Sequence, residues 1–370
     1  MKTNTFYFAL GRPFSPLYSL AMRLRERLYR RGLLQSYPLS VPVISVGNLT
    51  MGGSGKTPLV QYLSQQLQER GYRPAIISRG YGGKASDKVN IVSDGTHLLL
   101  DAEQAGDEPR LLAETLPSVP VLTGIVRRFP AQRAIDMGAD ILLLDDGFQH
   151  LQIRRDVNLV LFNTDRLAGN SRVFPGGDLR EPVVALHRAT GFVMTGVRAD
   201  NRERADKFAA LLQSRFPTTP VVLAGYGVQG LVRLDQQGQL VAETDTLLEQ
   251  GPWFGFAGIA HPRSFEQTLQ EQGVVLAGFA ALDDHQHYSA DLLAQLSRRA
   301  LQAGARGLLT TEKDLVKLAV IAGTGELPLV GLRMQVTVEP DLLATLLAPI
   351  TLKAILAQPQ ADCVKNAQGF

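Results

Sequence analysis

The chain has 370 residues, 45% hydrophobic and 20% charged, which is enough for a sizeable core and suggests about two domains. Its single cysteine, Cys363, rules out an intramolecular disulfide or a zinc site built from several cysteines, and fits a reducing compartment. The net charge of +3 is uneven: residues 1–40 carry Lys2, Arg12, Arg23, Arg25, Arg27, Arg30 and Arg31 against Glu26, a net of +6 that leaves the remainder at −3. A basic end on a mildly acidic body argues against nucleic acid as a partner.

No apolar run approaches the ~20 residues that span a bilayer. The apolar start is broken by Arg12 and Pro13 with no cleavage site after it, unlike a signal peptide, so the body is expected in the cytoplasm. Phe6, Tyr7, Phe8 and Leu10 lead into a helical pattern in which Leu17, Leu20, Ala21, Leu24 and Leu28 share one face and arginines occupy the rest. Such an amphipathic helix suits an anionic membrane interface. A helix packed on the body with a solvated arginine face fits the periodicity equally well.

Val41–Val46 predicts a buried strand, and Pro58–Arg70, closed by Gly71, predicts a helix. Between them runs Gly47-Asn48-Leu49-Thr50-Met51-Gly52-Gly53-Ser54-Gly55-Lys56-Thr57. Strand, glycine-rich loop, Gly-Lys-Thr and helix in this order predict a phosphate-binding P-loop. Residues Thr50 to Gly55 would curl their N–H groups around phosphate oxygens, and the helix N-terminus adds its dipole. Lys56 can bridge the β- and γ-phosphates, and the Thr57 hydroxyl can ligand Mg²⁺. Thr50 stands where the general pattern begins with glycine.

Pro74–Ser78 reads as the next strand, with Arg79-Gly80-Tyr81-Gly82-Gly83 at its carboxyl end. That is where α/β sheets place ligands, although a plain flexible loop has the same composition. Gly106-Asp107-Glu108-Pro109 opens a helix through Thr115. Its acids are either partners of the helix dipole or a carboxylate near the γ-phosphate acting as base or metal-site component. Ile141–Leu144 followed by Asp145 and Asp146 predicts a buried parallel strand tipped with Mg²⁺-holding carboxylates, the Walker-B arrangement. Gly147-Phe148-Gln149-His150 then turns, with His150 read as a local hydrogen-bonding residue. Asn158–Asn163 and Gly191–Thr195 complete a doubly wound parallel sheet. In the loop Phe174–Pro182, Arg180 either stabilises phosphoryl charge or pairs with Glu181.

Past Phe216–Pro220 the alternation restarts, with strands at Trp253–Ile259, Val274–Phe279, Gly307–Thr311 and Leu329–Val338 and helices at Arg263–Gln272 and Ala290–Ala303. The expected organisation is an N-terminal segment 1–38, a P-loop core 39–216, a smaller second α/β domain 217–358 and a polar tail 359–370. Loops of the second domain carry His261, the run Asp283-Asp284-His285-Gln286-His287-Tyr288, and Thr311-Glu312-Lys313-Asp314. Such clusters serve acid/base work or cap the next helix.

Taken in order, GNLTMGGSGKTP, SRGYGG, GDEP, DDGFQH, FPGGDLREP, GIAHPRSF, DDHQHY and TEKD resemble the tetraacyldisaccharide 4′-kinase family, the lipid A 4′-kinases of Gram-negative bacteria. The motifs span residues 47 to 314, and Thr50 fits this family's loop. The resemblance implies transfer of the ATP γ-phosphate to the 4′-hydroxyl of a tetraacyldisaccharide 1-phosphate, giving lipid IVA. It implies Mg²⁺ as cofactor, a two-domain P-loop fold, and work at the cytoplasmic face of the inner membrane through the N-terminal helix. By the same resemblance Asp107 is the general base, assisted by His285 or its neighbour His287. Lys56 and Thr57 handle phosphate and Mg²⁺, Asp145 and Asp146 belong to the metal site, Arg180 is catalytic, and Tyr81 and Glu108 bind substrate.

Two other classes compete. A P-loop switch or metallochaperone-type GTPase needs a base-reading Asn-Lys-x-Asp, and Thr311-Glu312-Lys313-Asp314 has the wrong spacing. A kinase or ligase of a soluble metabolite, such as dethiobiotin synthetase, does not account for the arginine-rich apolar N-terminus.

Overall fold

A computed structural model describes residues 2–236, 238–244, 248, 251–259, 262–284, 286–319, 321, 327–338, 344–348 and 350, with side chains from Tyr7 onward. Helices α1 (Lys2–Gly11) and α2 (Ser15–Arg30) lead the chain, joined by a tight turn at Arg12–Phe14. The apolar lead-in is therefore itself helical. Pro13 and Pro16 fall in the first turns of the segments they enter, where a missing N–H costs little.

The first domain is built on β1 (Val43–Asn48), α3 (Lys56–Glu69), β2 (Pro74–Ser78), β3 (Asn90–Ser93), α4 (Ala102–Ala105), α5 (Asp107–Thr115), β4 (Val121–Thr123), α6 (Arg128–Asp136), β5 (Ile141–Asp145), β6 (Val157–Asn163), β7 (Gly191–Thr195), α7 (Arg202–Arg215) and β8 (Val221–Leu223). Among the described residues its sheet has eight strands in the order β3-β4-β2-β5-β1-β6-β7-β8. Only β3 runs antiparallel to its neighbour. Every residue of β1, β2, β5 and β7 is buried, because helices cover both faces of a parallel sheet. Leu59, Leu63 and Leu67 of α3 pack on one face with Ile44, Val46 and Leu143, while Ala131 and Ala134 of α6 pack on the other with Val43, Ile77 and Leu144.

The chain changes sheets between Leu223 and Gly225, one strand beyond the Phe216–Pro220 turn. That turn joins α7 to β8, and β8 pairs in parallel with β7, so the first core continues past it. The second domain comprises β9 (Gly225–Leu234), β10 (Leu240–Glu243), β11 (Trp253–Ala257), α8 (Pro262–Glu271), β12 (Leu276–Ala281), α9 (Ala290–Gln302), β13 (Gly307–Thr311), α10 (Glu312–Leu318) and β14 (Leu329–Thr337). Its sheet is mixed, β10-β9-β14-β13-β11-β12, with β9 antiparallel to both of its neighbours. The far ends of β9 and β14 reach back to the first domain, where Tyr226 and Val336 join Leu346, Leu347 and Ile350 in the first core. Two strands and a returning segment thus tie the domains together beside the loop that follows β1.

Candidate active site

Both domains and α2 line one cleft of about 1460 Å³. That volume exceeds the usual range for a single small ligand, so there is room for two substrates. Its floor is the loop between β1 and α3. Gly52 and Gly55 hold φ angles of +98° and +77°, open to glycine with little strain. A side chain at Gly55 would also collide with the Tyr226 hydroxyl, 1.9 Å from where its Cβ would lie. The loop is braced from below: the Thr195 hydroxyl donates to the Ser54 carbonyl at 2.8 Å, and Tyr226 hydrogen-bonds Thr195. Burial pushes the Tyr226 phenol up to about 12, against the pull of that bond, so it stays neutral.

Met51, Gly52, Gly53, Ser54, Gly55, Lys56 and Thr57 all line the cleft. Thr50 instead joins the loop to its support: its backbone bridges Leu179, and its carbonyl accepts from the Asn48 side chain at 2.8 Å. Lys56 Nζ stands 3.5 Å from Asp146 and 3.4 Å from Asn48 Oδ1.

The tip of β5 supplies the acids. Asp146 sits at φ +50°, an unusual conformation for a residue with a side chain and one that marks functional sites. Its carbonyl accepts from the buried Arg127 at 2.9 Å, and its carboxylate takes Arg180 Nη1 at 2.7 and 3.0 Å. Burial raises the Asp146 carboxyl, but Lys56 and Arg180 outweigh it and hold the group below its ordinary value. Asp145 behaves oppositely. Burial, then repulsion from Glu108 and Asp146, pushes it up to about 7 despite Lys56 and Arg127. One of its oxygens accepts from Ser78 at 3.2 Å and the other is buried without a partner. A buried carboxylate with an orphaned oxygen, lining the same cleft as Thr57, fits a divalent cation. Among the described residues no cluster of three or more acids or histidines forms a protein cage. Oxygen donors such as the Asp145 carboxylate and the Thr57 hydroxyl suit Mg²⁺, which takes one or two carboxylates and leaves its other positions to phosphates and water.

Across the cleft, Asp107 and Glu108 open α5, and Tyr81 lies on the β2 loop with its ring largely exposed. Asp107 Oδ2 is 3.2 Å from Lys317 Nζ and Glu108 Oε1 is 3.5 Å from Lys313 Nζ, both lysines on α10. His285 lies outside the described residues; its neighbour Asp284 lines the cleft. His150 also lines it, and burial, followed by the fields of Arg127 and Arg155, pushes its imidazole down to about 3.

The structure thus gathers Lys56, Thr57, Asp145, Asp146, Arg180, Asp107, Glu108 and Tyr81 around one space. Sequence reasoning passed over Arg127, Thr195, Tyr226 and Lys317, which carry no local motif. It also left Arg25 and Tyr18 unplaced: the Tyr18 hydroxyl donates to the Arg180 carbonyl at 3.1 Å, and Arg25 donates to the Gln149 carbonyl at 3.0 Å.

A glycine-rich loop at the carboxyl end of an interior parallel strand, two acids at the tip of the neighbouring strand and a second pair of acids facing them form a cleft of the kind a nucleotide-dependent phosphotransferase needs. A family model described as Tetraacyldisaccharide-1-P 4′-kinase matches residues 7–351. The chain belongs to this family, and its activity is that of a lipid A 4′-kinase, acting on a hydroxyl of a lipid disaccharide. A tetraacyldisaccharide 4′-kinase of Desulfotalea psychrophila is 44% identical over 342 residues, covering 92% of this chain and 96% of the relative. One from Syntrophus aciditrophicus is 41% identical over 339 residues, covering 89% and 88%. The crystal structure of the "apo" form of LpxK from Aquifex aeolicus in complex with ATP matches with a TM-score of 0.71 at 30% identity, covering 91% of this chain and 97% of that one.

Proposed function

We propose that the chain transfers the γ-phosphate of ATP to the 4′-hydroxyl of tetraacyldisaccharide 1-phosphate while docked on an anionic membrane surface, the cytoplasmic face of the inner membrane. The observation that carries the residue assignments is the shared cleft, with the P-loop and Asp146 on one side and Asp107 and Glu108 on the other. In this reading residues Thr50 to Thr57 bind ATP, with Lys56 on the β- and γ-phosphates. Asp107, with His285 sharing it, accepts the proton of the 4′-hydroxyl as the hydroxyl oxygen attacks the γ-phosphorus. The bond to the bridging oxygen breaks and ADP leaves. Arg180 and Lys56 neutralise the equatorial oxygens, and Tyr81 and Glu108 hold the sugar. Mg²⁺, held by Thr57 and Asp145 with Asp146 beside it, would supply further neutralisation of the phosphate oxygens.

Membrane docking is supported by the way α2 is turned. Its inward side is polar, with Arg25 and Glu26 paired to Glu181, His187 and Arg188. Its outward side exposes Leu17, Leu20 and Leu24, continuous in sequence with exposed Phe14, Leu10 and Tyr7. Arg23, Arg27 and Arg30 are exposed beside them. That combination matches an interfacial helix, whereas a helix that packs for stability turns its leucines inward. No described helix is long and apolar enough to cross a membrane.

The test is labelled phosphate transfer from ATP–Mg²⁺ to tetraacyldisaccharide 1-phosphate in mixed micelles. Lys56→Ala should abolish lipid labelling, and Asp107→Asn should lower turnover by about 10²–10⁴-fold while leaving ATP affinity near wild type. Wild-type turnover in Asp107→Asn would remove the base from this reading.

A further inference from the structure

Lys317 is the one cation of α10 that reaches an acid of the site without lining the cleft itself. Its side chain is only 7% exposed, and its ammonium lies 3.2 Å from Asp107 and 3.9 Å from Asp314. Asp314 is fully buried; its Oδ2 accepts from the Gly258 N–H at 2.9 Å and the Thr311 hydroxyl at 2.8 Å, while its Oδ1 has no hydrogen-bond donor among the described residues and Lys317 stands 3.9 Å from it, beyond hydrogen-bond reach. A lysine present only to neutralise Asp314 would turn towards it. This one leans across the domain boundary to the first residue of α5. Lys313, one helical turn earlier on the same face, reaches Glu108 at 3.5 Å. Two lysines four residues apart therefore meet two adjacent acids, which fixes how α10 of the second domain sits against the start of α5.

We infer that Lys317 is a positioning residue for phosphoryl transfer: through its ion pair, the second domain holds the Asp107 carboxylate where the acceptor hydroxyl must present its proton. A compact ammonium that is itself outside the cleft lining, 3.2 Å from Oδ2, restrains the carboxylate by charge while Asp107 remains part of the cleft wall. A base misplaced by about 1 Å costs on the order of 10²-fold in rate, so the pair matters although Lys317 touches no reacting atom. The inference rests on the reading of Asp107 as base.

The test is a double-mutant cycle of Lys317→Met and Asp107→Asn, read as kcat and KM for ATP and for the lipid in the micelle assay, with thermal midpoint and nucleotide affinity as folding controls. Lys317→Met should lower kcat about 10²-fold with both KM values within threefold, and Lys317→Arg should recover at least tenfold of that loss. In the Asp107→Asn background, Lys317→Met should add less than threefold. An undiminished kcat in Lys317→Met, or an equal loss in the Asp107→Asn background, would overturn the inference and leave Asp107 as base. Full activity of Asp107→Asn alone would overturn both. If Lys317→Met does not fold, Lys317→Arg takes its place in the cycle. It should then show a smaller loss that vanishes in the Asp107→Asn background, and no loss, or a loss that persists there, would refute the role.

Discussion

Replacing Leu17, Leu20 and Leu24 together by serine separates membrane docking from folding. These side chains are 68%, 60% and 54% exposed, so the folded protein gains little from them in water. Full burial of a leucine side chain stabilises by about 2 kcal/mol. With somewhat more than half of each surface still open, insertion into an interface recovers roughly 1.2 kcal/mol per leucine. The three together contribute roughly 3.5 kcal/mol, or roughly 300-fold in partitioning. Sedimentation with vesicles containing anionic phospholipid should show that drop, while the thermal midpoint in solution stays within a few degrees. Activity on the lipid should fall with binding, and ATP affinity should be unchanged. If the triple variant sediments with vesicles as wild type does, α2 does not dock through its leucine face. If instead it unfolds, those leucines pack against the body.

Tyr226→Phe removes the phenol under Gly55 and its bond to Thr195; it should cost about 1 kcal/mol in unfolding free energy and weaken nucleotide binding severalfold in a titration. Asp145→Asn should raise the thermal midpoint in EDTA at pH 8 and not at pH 4. Because the folded value is raised, the wild-type group's contribution is complete below about 3.8 and is lost as pH climbs to about 7, whereas asparagine never ionises. The same variant should lose turnover. His150 carries the opposite sign: its imidazole is held near 3 in the fold but takes a proton near 6.5 when unfolded. Its contribution is present above that value and is lost as pH falls, by roughly 2 kcal/mol at pH 5, and His150→Gln should flatten the acid limb of a thermal-midpoint profile.

The P-loop and the acids at the tip of β5 were legible because their chemistry is local. A loop that must curl its N–H groups inward needs glycines at fixed intervals, and a buried strand ending in carboxylates shows as an apolar run followed by Asp145-Asp146. Residues that act across the fold leave no such trace. Arg127 precedes α6 in an unremarkable stretch, and only the packing of β4 against β2 and β2 against β5 brings it to the Asp146 carbonyl. Tyr226 reaches Gly55 only because β9 starts beside the first domain. Periodicity placed the α2 leucines on one face but could not tell whether that face turns inward, since either choice has the same 3.6-residue pattern. The ion pairs of Arg25 and Glu26 decide it. The strand that carries the first sheet past the Phe216–Pro220 turn left no signal for a related reason: Val221–Leu223 is too short to stand out beside a proline-rich turn.

The proposed docking of α2 also bears on how a lipid would reach a P-loop at all. A nucleotide approaches its loop from water, but an acylated sugar must keep its chains in the bilayer while a single hydroxyl enters the cleft. The inward side of α2 answers this geometrically. Tyr18 is bonded to the backbone of Arg180, and Arg25 to the backbone of Gln149 and, at 3.8 Å, to Glu181. Arg180 in turn holds Asp146 beside Lys56. The helix that exposes leucines on one side therefore bears, on the other, directly on the segments that carry Arg180 and Gln149. Tyr18, Met22 and Arg25 are themselves part of the cleft wall. A substrate with its chains along the outer face of α2 would have its head group enter the cleft that Tyr18, Met22 and Arg25 share with the P-loop. In the proposed reading, membrane docking and substrate presentation are the same event, and weakening the first should lower apparent affinity for the lipid more than the rate of transfer once bound.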